Sequence, residues 1–132
     1  MYPTELILKS DPGKIIEVEY FVKRFAKDLK INERIYPNIL ISVTEAVNNA
    51  IIHGNRKNKD KEVKIELHKE NGTLTIQVSD QGDGFDPDDV PDPTLEENLE
   101  KLGGRGVFLI QQLSDIVSYR NNGRTVEMQF YL

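Results

Sequence analysis

The chain of 132 residues contains no cysteine. Disulfide staples, thiolate metal sites and cysteine nucleophiles are therefore excluded, and the composition fits a reducing compartment. No apolar run approaches the roughly 18 residues that a membrane span needs. Met1 to Lys9 lacks the basic start and apolar centre of a signal peptide. The expectation is a cytoplasmic protein with no membrane partner. Positive charge is also in short supply: Lys and Arg number 17 against 22 Asp and Glu, a net charge of −5. A general nucleic-acid binder is normally basic, so direct nucleic-acid contact is not expected. The basic residues that do cluster, Arg56, Lys57, Lys59 and Lys61, read as a solvated loop after a helix. Internal repeats are absent. The expectation is one domain over 1–132, a size that can bury a core without metal or disulfide help.

What is present is strong periodicity. Thr4 to Lys9 alternates and reads as a short strand, with Ser10-Asp11-Pro12-Gly13 as turn and helix cap. From Lys14 to Leu29, Ile15, Val18, Phe21, Val22, Phe25 and Leu29 recur at helical spacing. A second helix, capped by Asn32 or Asn38 and with Pro37 near its first turn, runs to about Ile52. His53-Gly54-Asn55 ends it, with glycine accepting the left-handed conformation. Glu62 to His68 and Thr73 to Ser79 alternate on either side of Asn71-Gly72, a hairpin signal. A long Gly/Pro/Asp-rich loop runs from Asp80 to about Gly106 and includes a weakly helical stretch, Thr94 to Leu102. Gly106 to Leu113 reads as a third helix. Ile116 to Tyr119 and Thr125 to Tyr131 form a last hairpin about Asn121-Asn122-Gly123. Strands joined by tight turns imply a mostly antiparallel sheet, and the helices must cover one of its faces. The fold class is α+β, a two-layer sandwich.

Three constellations carry chemistry. Glu45 and Asn49 stand four residues apart on one face of the second helix, in a stripe continued by the apolar Ile41 and Ile52. A carboxylate and an amide oxygen there suit a hard cation such as Mg²⁺, or the carboxylate orients a water or accepts a hydroxyl proton. At the end of an apolar strand, Asp80-Gln81-Gly82-Asp83-Gly84-Phe85 offers a carboxylate that can accept from an exocyclic amine. Its glycines let backbone approach a ligand. Gly103-Gly104-Arg105-Gly106-Val107 opens a helix, and freed backbone amides at a helix N-terminus bind phosphate. Arg105 adds charge there. No Gly-Lys-Ser or Gly-Lys-Thr occurs, so this is not a P-loop. His53 and His68 have no neighbouring ligand for zinc. The Asp83, Asp86, Asp88, Asp89 run lacks the terminal glutamate of a calcium loop and reads as solvated.

Together these segments resemble a known family. Thr44-Glu45-Ala46-Val47-Asn48-Asn49-Ala50-Ile51-Ile52-His53-Gly54 is similar to the N box of the GHKL ATPases. Asp80 to Phe85 is similar to their first glycine box, and Gly104-Arg105-Gly106-Val107-Phe108-Leu109-Ile110 to the second. Within that superfamily the chain most resembles the anti-sigma-factor serine/threonine kinases. The resemblance implies the Bergerat ATP-binding fold, with ATP and Mg²⁺ as cofactors. It implies Glu45 as catalytic base and Asn49 as the Mg²⁺ ligand. Asp80 becomes the adenine reader, with Gly82 and Gly84 shaping that pocket. Gly104, Arg105 and Gly106 become the phosphate-contacting hinge, and Thr125 an assistant at adenine. Asn48 and Asn55 are further candidates for lining the site.

An ATP lid is implied around 86–105. Its acidic stretch from Asp86 to Lys101, with Pro87, Pro91 and Pro93, is expected to be mobile without nucleotide. The implied partners are a small anti-anti-sigma protein as phosphoacceptor and a sigma factor held inactive, with the kinase a homodimer. One departure is visible: Glu19 lies near the place where family members carry a basic residue for partner contact, with Lys23 and Arg24 one turn later. Two other readings remain compatible with the motifs. One is a nucleotide-controlled sequestration module without significant kinase activity, and the other a detached histidine-kinase-type ATPase domain.

Overall fold

A computed structural model describes residues 4–83 and 104–132. Its elements are β1 (Glu5–Lys9), α1 (Ile15–Asp28), α2 (Tyr36–Asn49), β2 (Glu62–Glu70), β3 (Thr73–Ser79), α3 (Gly104–Leu113), β4 (Ile116–Arg120) and β5 (Thr125–Tyr131). The strands form a five-stranded sheet in the order β1-β2-β3-β5-β4, every neighbouring pair antiparallel. The expected α+β two-layer architecture is what the chain adopts. The last hairpin is not beside its sequence neighbour alone: β5 inserts between β4 and β3.

Alternation decides which side of the sheet is dry. Val63, Ile65, Leu67, Leu74, Ile76, Val78, Val126, Met128 and Phe130 are all buried, and they pack against Val18, Val22 and Phe25 of α1, Ile39, Val43 and Val47 of α2, and Ile110 of α3. The other face is polar. Lys64 lies 3.4 Å from Glu5 and 3.5 Å from Glu66, and Arg120 pairs with the buried Glu127 at 2.6 Å. Asn71 (φ 52°) and Gly72 (φ 79°) make the β2–β3 turn in the left-handed region, which Asn and Gly tolerate best.

Two details of α2 differ from expectation. Neither Asn38 nor Asn32 caps it through a side chain. Asn32 instead organises the preceding turn, its Oδ1 accepting from Arg34 N (2.8 Å) and its carbonyl from Ile35 and Tyr36 N (both 3.0 Å). At the other end the α-helix stops at Asn49, and Ala50–Gly54 continue as one π-helical turn. Gly54 does not take the left-handed conformation. Arg56 (φ 53°) and Lys57 (φ 59°) do, while Asn55 N and Lys57 N close the turn on the carbonyls of Ala50 and Ile51, both at 2.7 Å. Such wide turns within helices recur at functional sites. Among the described residues no helix is long and apolar enough to cross a membrane.

Candidate active site

The site begins where two apolar alternations end in charge. On β3, Leu74, Ile76 and Val78 face the core, and the next residue in phase is Asp80. On β5, Val126, Met128 and Phe130 face the core, and the residue in phase before them is Arg124. Val78 pairs with Val126 and Ser79 with Thr125, and Asp80 N donates to Arg124 O at 2.9 Å. Asp80 and Arg124 therefore stand side by side at one edge of the sheet's dry face. Above them lies a cavity of about 250 Å³. Its apolar walls are Ala46, Ala50, Val78, Val107, Ile110 and Val126, and its polar lining includes Asn49, His53, Arg56, Asp80, Tyr119 and Arg124. Apolar walls with few polar groups are the usual make-up of a small-molecule site.

At one end, Asp80 is half-buried, and burial pushes its carboxyl above the usual carboxylate range. The Gly82 N–H donating to Oδ1 (2.8 Å) and the charges of Arg124 and Lys61 oppose that shift. Two glycines make room. A β-carbon on Gly54 would lie 2.4 Å from Asp80 Oδ2, and one on Gly82 would lie 1.9 Å from the Gly54 carbonyl oxygen. This contact is what Gly54 provides in place of the expected left-handed stop.

Beside the cavity, the first turn of α3 comes down onto α2. A β-carbon on Gly106 would lie 2.8 Å from Asn49 Nδ2 and 3.0 Å from Glu45 Oε2. Glu45, Asn49 and a helix N-terminus thus meet in one place, where free amides favour an anion. The Glu45–Asn49 stripe is not buried along its length: Ile41 and Ile52 are 41% and 38% exposed, so its polar groups work at an open edge. Gly104 and Arg105 enter as backbone of the first turn of α3.

Not every candidate reaches the cavity. Thr125 is buried on the opposite face of the sheet, its hydroxyl 3.0 Å from Ser79 Oγ and 3.0 Å from Asn121 Nδ2. It therefore does not line the cavity, because alternation points residue 125 away when Val126 points in. Asn48 is not among the lining residues. Asn55 is fully buried and structural. Its Nδ2 donates to Ser10 Oγ (2.8 Å) and Glu62 O (3.0 Å), and its Oδ1 accepts from Gln81 N (2.8 Å). Gly84 and nearly all of the expected lid at 86–105 lie outside the described residues, as do Asp86, Asp88 and Asp89.

The structure also adds residues. Arg124 was signalled by a cation in phase with an apolar face. His53, whose imidazole burial pushes below its ordinary range, lines the cavity and is more than a helix-end residue. Tyr119, in phase with Val117, has its phenol pushed up to about 12 by burial and enters the wall neutral.

The residues fit a nucleotide with a shared cation. A half-buried carboxylate lines the cavity among apolar side chains, and beside it an amide and a carboxylate meet a helix terminus at Gly106. Among the described residues no group of three His, Asp or Glu could hold a metal alone. A hard cation bound there would be shared with the ligand's own phosphates.

Residues 8–130 match the family described as "Histidine kinase-like ATPase domain". This chain belongs to that family. It is similar to proteins named "Serine-protein kinase RsbW". The Listeria innocua protein is 32% identical over 102 residues, covering 72% of this chain and 65% of the relative. The Bacillus subtilis protein is 35% identical over 102 residues, covering 72% and 64%. The Staphylococcus aureus protein is 35% identical over 101 residues, covering 70% and 63%. The matched stretch thus spans a little under two thirds of the length of these relatives.

Proposed function

We propose that this chain binds Mg²⁺-ATP in the cavity and transfers the terminal phosphoryl group to a serine or threonine of a small anti-anti-sigma protein. In the same reading it holds a sigma factor inactive, acts as a homodimer and works in the cytoplasm. The observation that carries the proposal is the convergence of Glu45 and Asn49 with α3 at Gly106, beside a cavity that Asn49 and Asp80 both line. In this reading the Asp80 carboxylate serves the base and the helix terminus serves the phosphates of one bound nucleotide.

Phosphoryl transfer depends on positioning and charge neutralisation more than on covalent help from the protein. Asn49 would hold the metal, which when bound supplies neutralising charge on the phosphates. Glu45 accepts the proton of the attacking hydroxyl. The α3 amides from Gly104 to Gly106 hold the phosphate oxygens, with Arg105 beside them and Gly84 completing the pocket at the base. Asp80 accepts from the exocyclic amine of adenine. Lys23 and Arg24, exposed on α1 beside exposed Glu19, are available to a protein partner. The relatives' printed names, serine-protein kinases, support the same chemistry.

The deciding experiment incubates the protein with ATP labelled in its terminal phosphate and a co-encoded small acceptor protein. Acid-stable label on serine or threonine supports the kinase. Acid-labile label would mark a histidine-type transfer, and nucleotide binding without label a sequestration module.

A further inference from the structure

Arg124 is an unusual residue for its place. It follows the apolar phase of β5, where the next three inward residues, Val126, Met128 and Phe130, are buried. A guanidinium at the edge of a dry face needs compensation for the water it loses. Among the described residues its side chain reaches one hydrogen-bond acceptor, the Gly82 carbonyl, with Nε donating at 2.7 Å. Gly82 N in turn donates to Asp80 Oδ1, and Asp80 N donates to the Arg124 carbonyl. Arg124, Asp80 and Gly82 therefore form a closed ring of contacts across two strand ends. The same guanidinium attracts the Asp80 carboxylate electrostatically and lines the cavity.

We propose that Arg124 is a positioning residue for base recognition: it clamps the Asp80–Gly82 turn from the neighbouring strand, so that the Asp80 carboxylate meets the exocyclic amine of the nucleobase in one fixed orientation. This rests on the nucleotide reading above and deepens it. The middle of the turn is held at Gln81, whose N–H donates to Asn55 Oδ1 (2.8 Å) and whose Oε1 accepts from Glu62 N (2.8 Å). Gly82 lies against the Gly54 carbonyl with no room for a side chain, so no side chain of its own can anchor it. The bond from Arg124 to the Gly82 carbonyl anchors that end of the turn from the neighbouring strand.

Charge acts in the same sense. Burial favours the protonated carboxyl of Asp80, and the cations facing it oppose this: Arg124 from β5 and Lys61 from the segment before β2. His53 and Arg56 line the same cavity from the π-helical turn and the residues after it, and Asp83 lies 3.5 Å from Arg56 at the mouth. The described part of α3 that lines the cavity, Val107 and Ile110, brings no charge. Arg124 is the cation closest in the strand pairing, so its removal leaves the Asp80 carboxylate easier to protonate.

The test compares ATP with purine riboside triphosphate, which has the same sugar and phosphates but lacks the 6-amino group. Calorimetric titrations with Mg²⁺ present would use the wild type, Arg124→Met and Arg124→Lys at neutral and mildly acidic pH. Wild type is expected to prefer ATP by about tenfold or more, the size of one charge-assisted hydrogen bond. In Arg124→Met the preference should shrink to less than about threefold, with ATP binding weakened more than binding of the analogue. Its ATP affinity should also fall sooner on acidification. Arg124→Lys keeps the charge without the Nε bond, so it should restore the pH profile but only part of the preference. Folded variants with the wild-type preference and pH profile would overturn the proposal. If Arg124→Met does not fold, full wild-type preference in Arg124→Lys overturns it alone. A wild type that binds no ATP overturns the nucleotide reading itself and the proposal with it; one that binds both nucleotides equally overturns the proposal and leaves nucleotide binding standing.

Discussion

The Asp80 carboxylate rests against the backbone of Gly54 so closely that a β-carbon there would stand 2.4 Å from Oδ2. The end of the α2 segment and the end of β3 are thereby locked face to face, and the carboxylate has one place to go. Gly54→Ala should push the carboxylate out of position and lower ATP affinity by about tenfold or more, the value of the charge-assisted bond it would make. Gly82→Ala meets the Gly54 carbonyl instead of a side chain and should cost about 1–3 kcal/mol of stability. Urea denaturation and ATP titration of both variants would check this. Wild-type ATP affinity in Gly54→Ala would show that the contact does not position Asp80.

Asp80 should make the free protein less stable than it could be. Its folded pKa is raised above the unfolded value, chiefly by burial. A raised carboxyl pKa means that the folded state binds the proton more tightly. Stability therefore falls as pH rises from the unfolded pKa through the folded one, and the penalty is fully present above the folded pKa. Asp80→Asn keeps an acceptor for Gly82 N and removes the charge. The nucleotide-free variant should be more stable than wild type at neutral pH, the gap closing on acidification, while ATP affinity drops. The effect should be modest, because the carboxylate is only half-buried and water screens it. A gap that widens on acidification would contradict this account.

Glu45→Ala should abolish phosphoryl transfer while leaving ATP bound within about threefold. Loss of a general base typically lowers rate by about 10²–10⁴-fold. Glu45 is absent from the lining of the cavity and approaches only the Gly106 end, which is why binding should survive. Normal transfer by this variant would refute the role.

Asn55→Ala tests a structural assignment. Three hydrogen bonds at 2.8–3.0 Å tie this buried amide to Ser10, Glu62 and Gln81. Their loss should destabilise the fold by about 3 kcal/mol, since buried polar groups are left without partners. If Asn55 instead touched nucleotide, the variant would melt normally and bind ATP poorly.

Much of this was legible in the chain. Period-2 alternation in Val63-Ile65-Leu67 and Leu74-Ile76-Val78, with Asn71-Gly72 between, identifies a hairpin and its dry face from the backbone geometry of strands alone. The helical spacing from Ile15 to Leu29 does the same for α1. The joint order of the Glu45–Asn49, Asp80–Gly84 and Gly104–Gly106 segments pointed to the family. Alternation also carried a signal that motif matching passed over: Thr125 is out of phase with Val126 and Arg124 is in phase. The helix ends were less legible. Arg56 and not Gly54 turns left-handed, and Gly54 lies against Asp80, a neighbour that nothing near residue 54 in the chain encodes.

The sequence by itself determined the local elements, the inward face of each, and the three segments that carry chemistry. Those follow from dihedral preferences and side-chain direction, which act over a few residues. Only the tertiary structure decided that β5 lies beside β3, which sets Arg124 against Asp80, and that α3 descends on Glu45 and Asn49 at Gly106. It also made Asn55 a buried clamp outside the cavity lining. Those relationships arise when separate elements bury a shared apolar face, and the neighbour each residue then meets is a property of the whole packing.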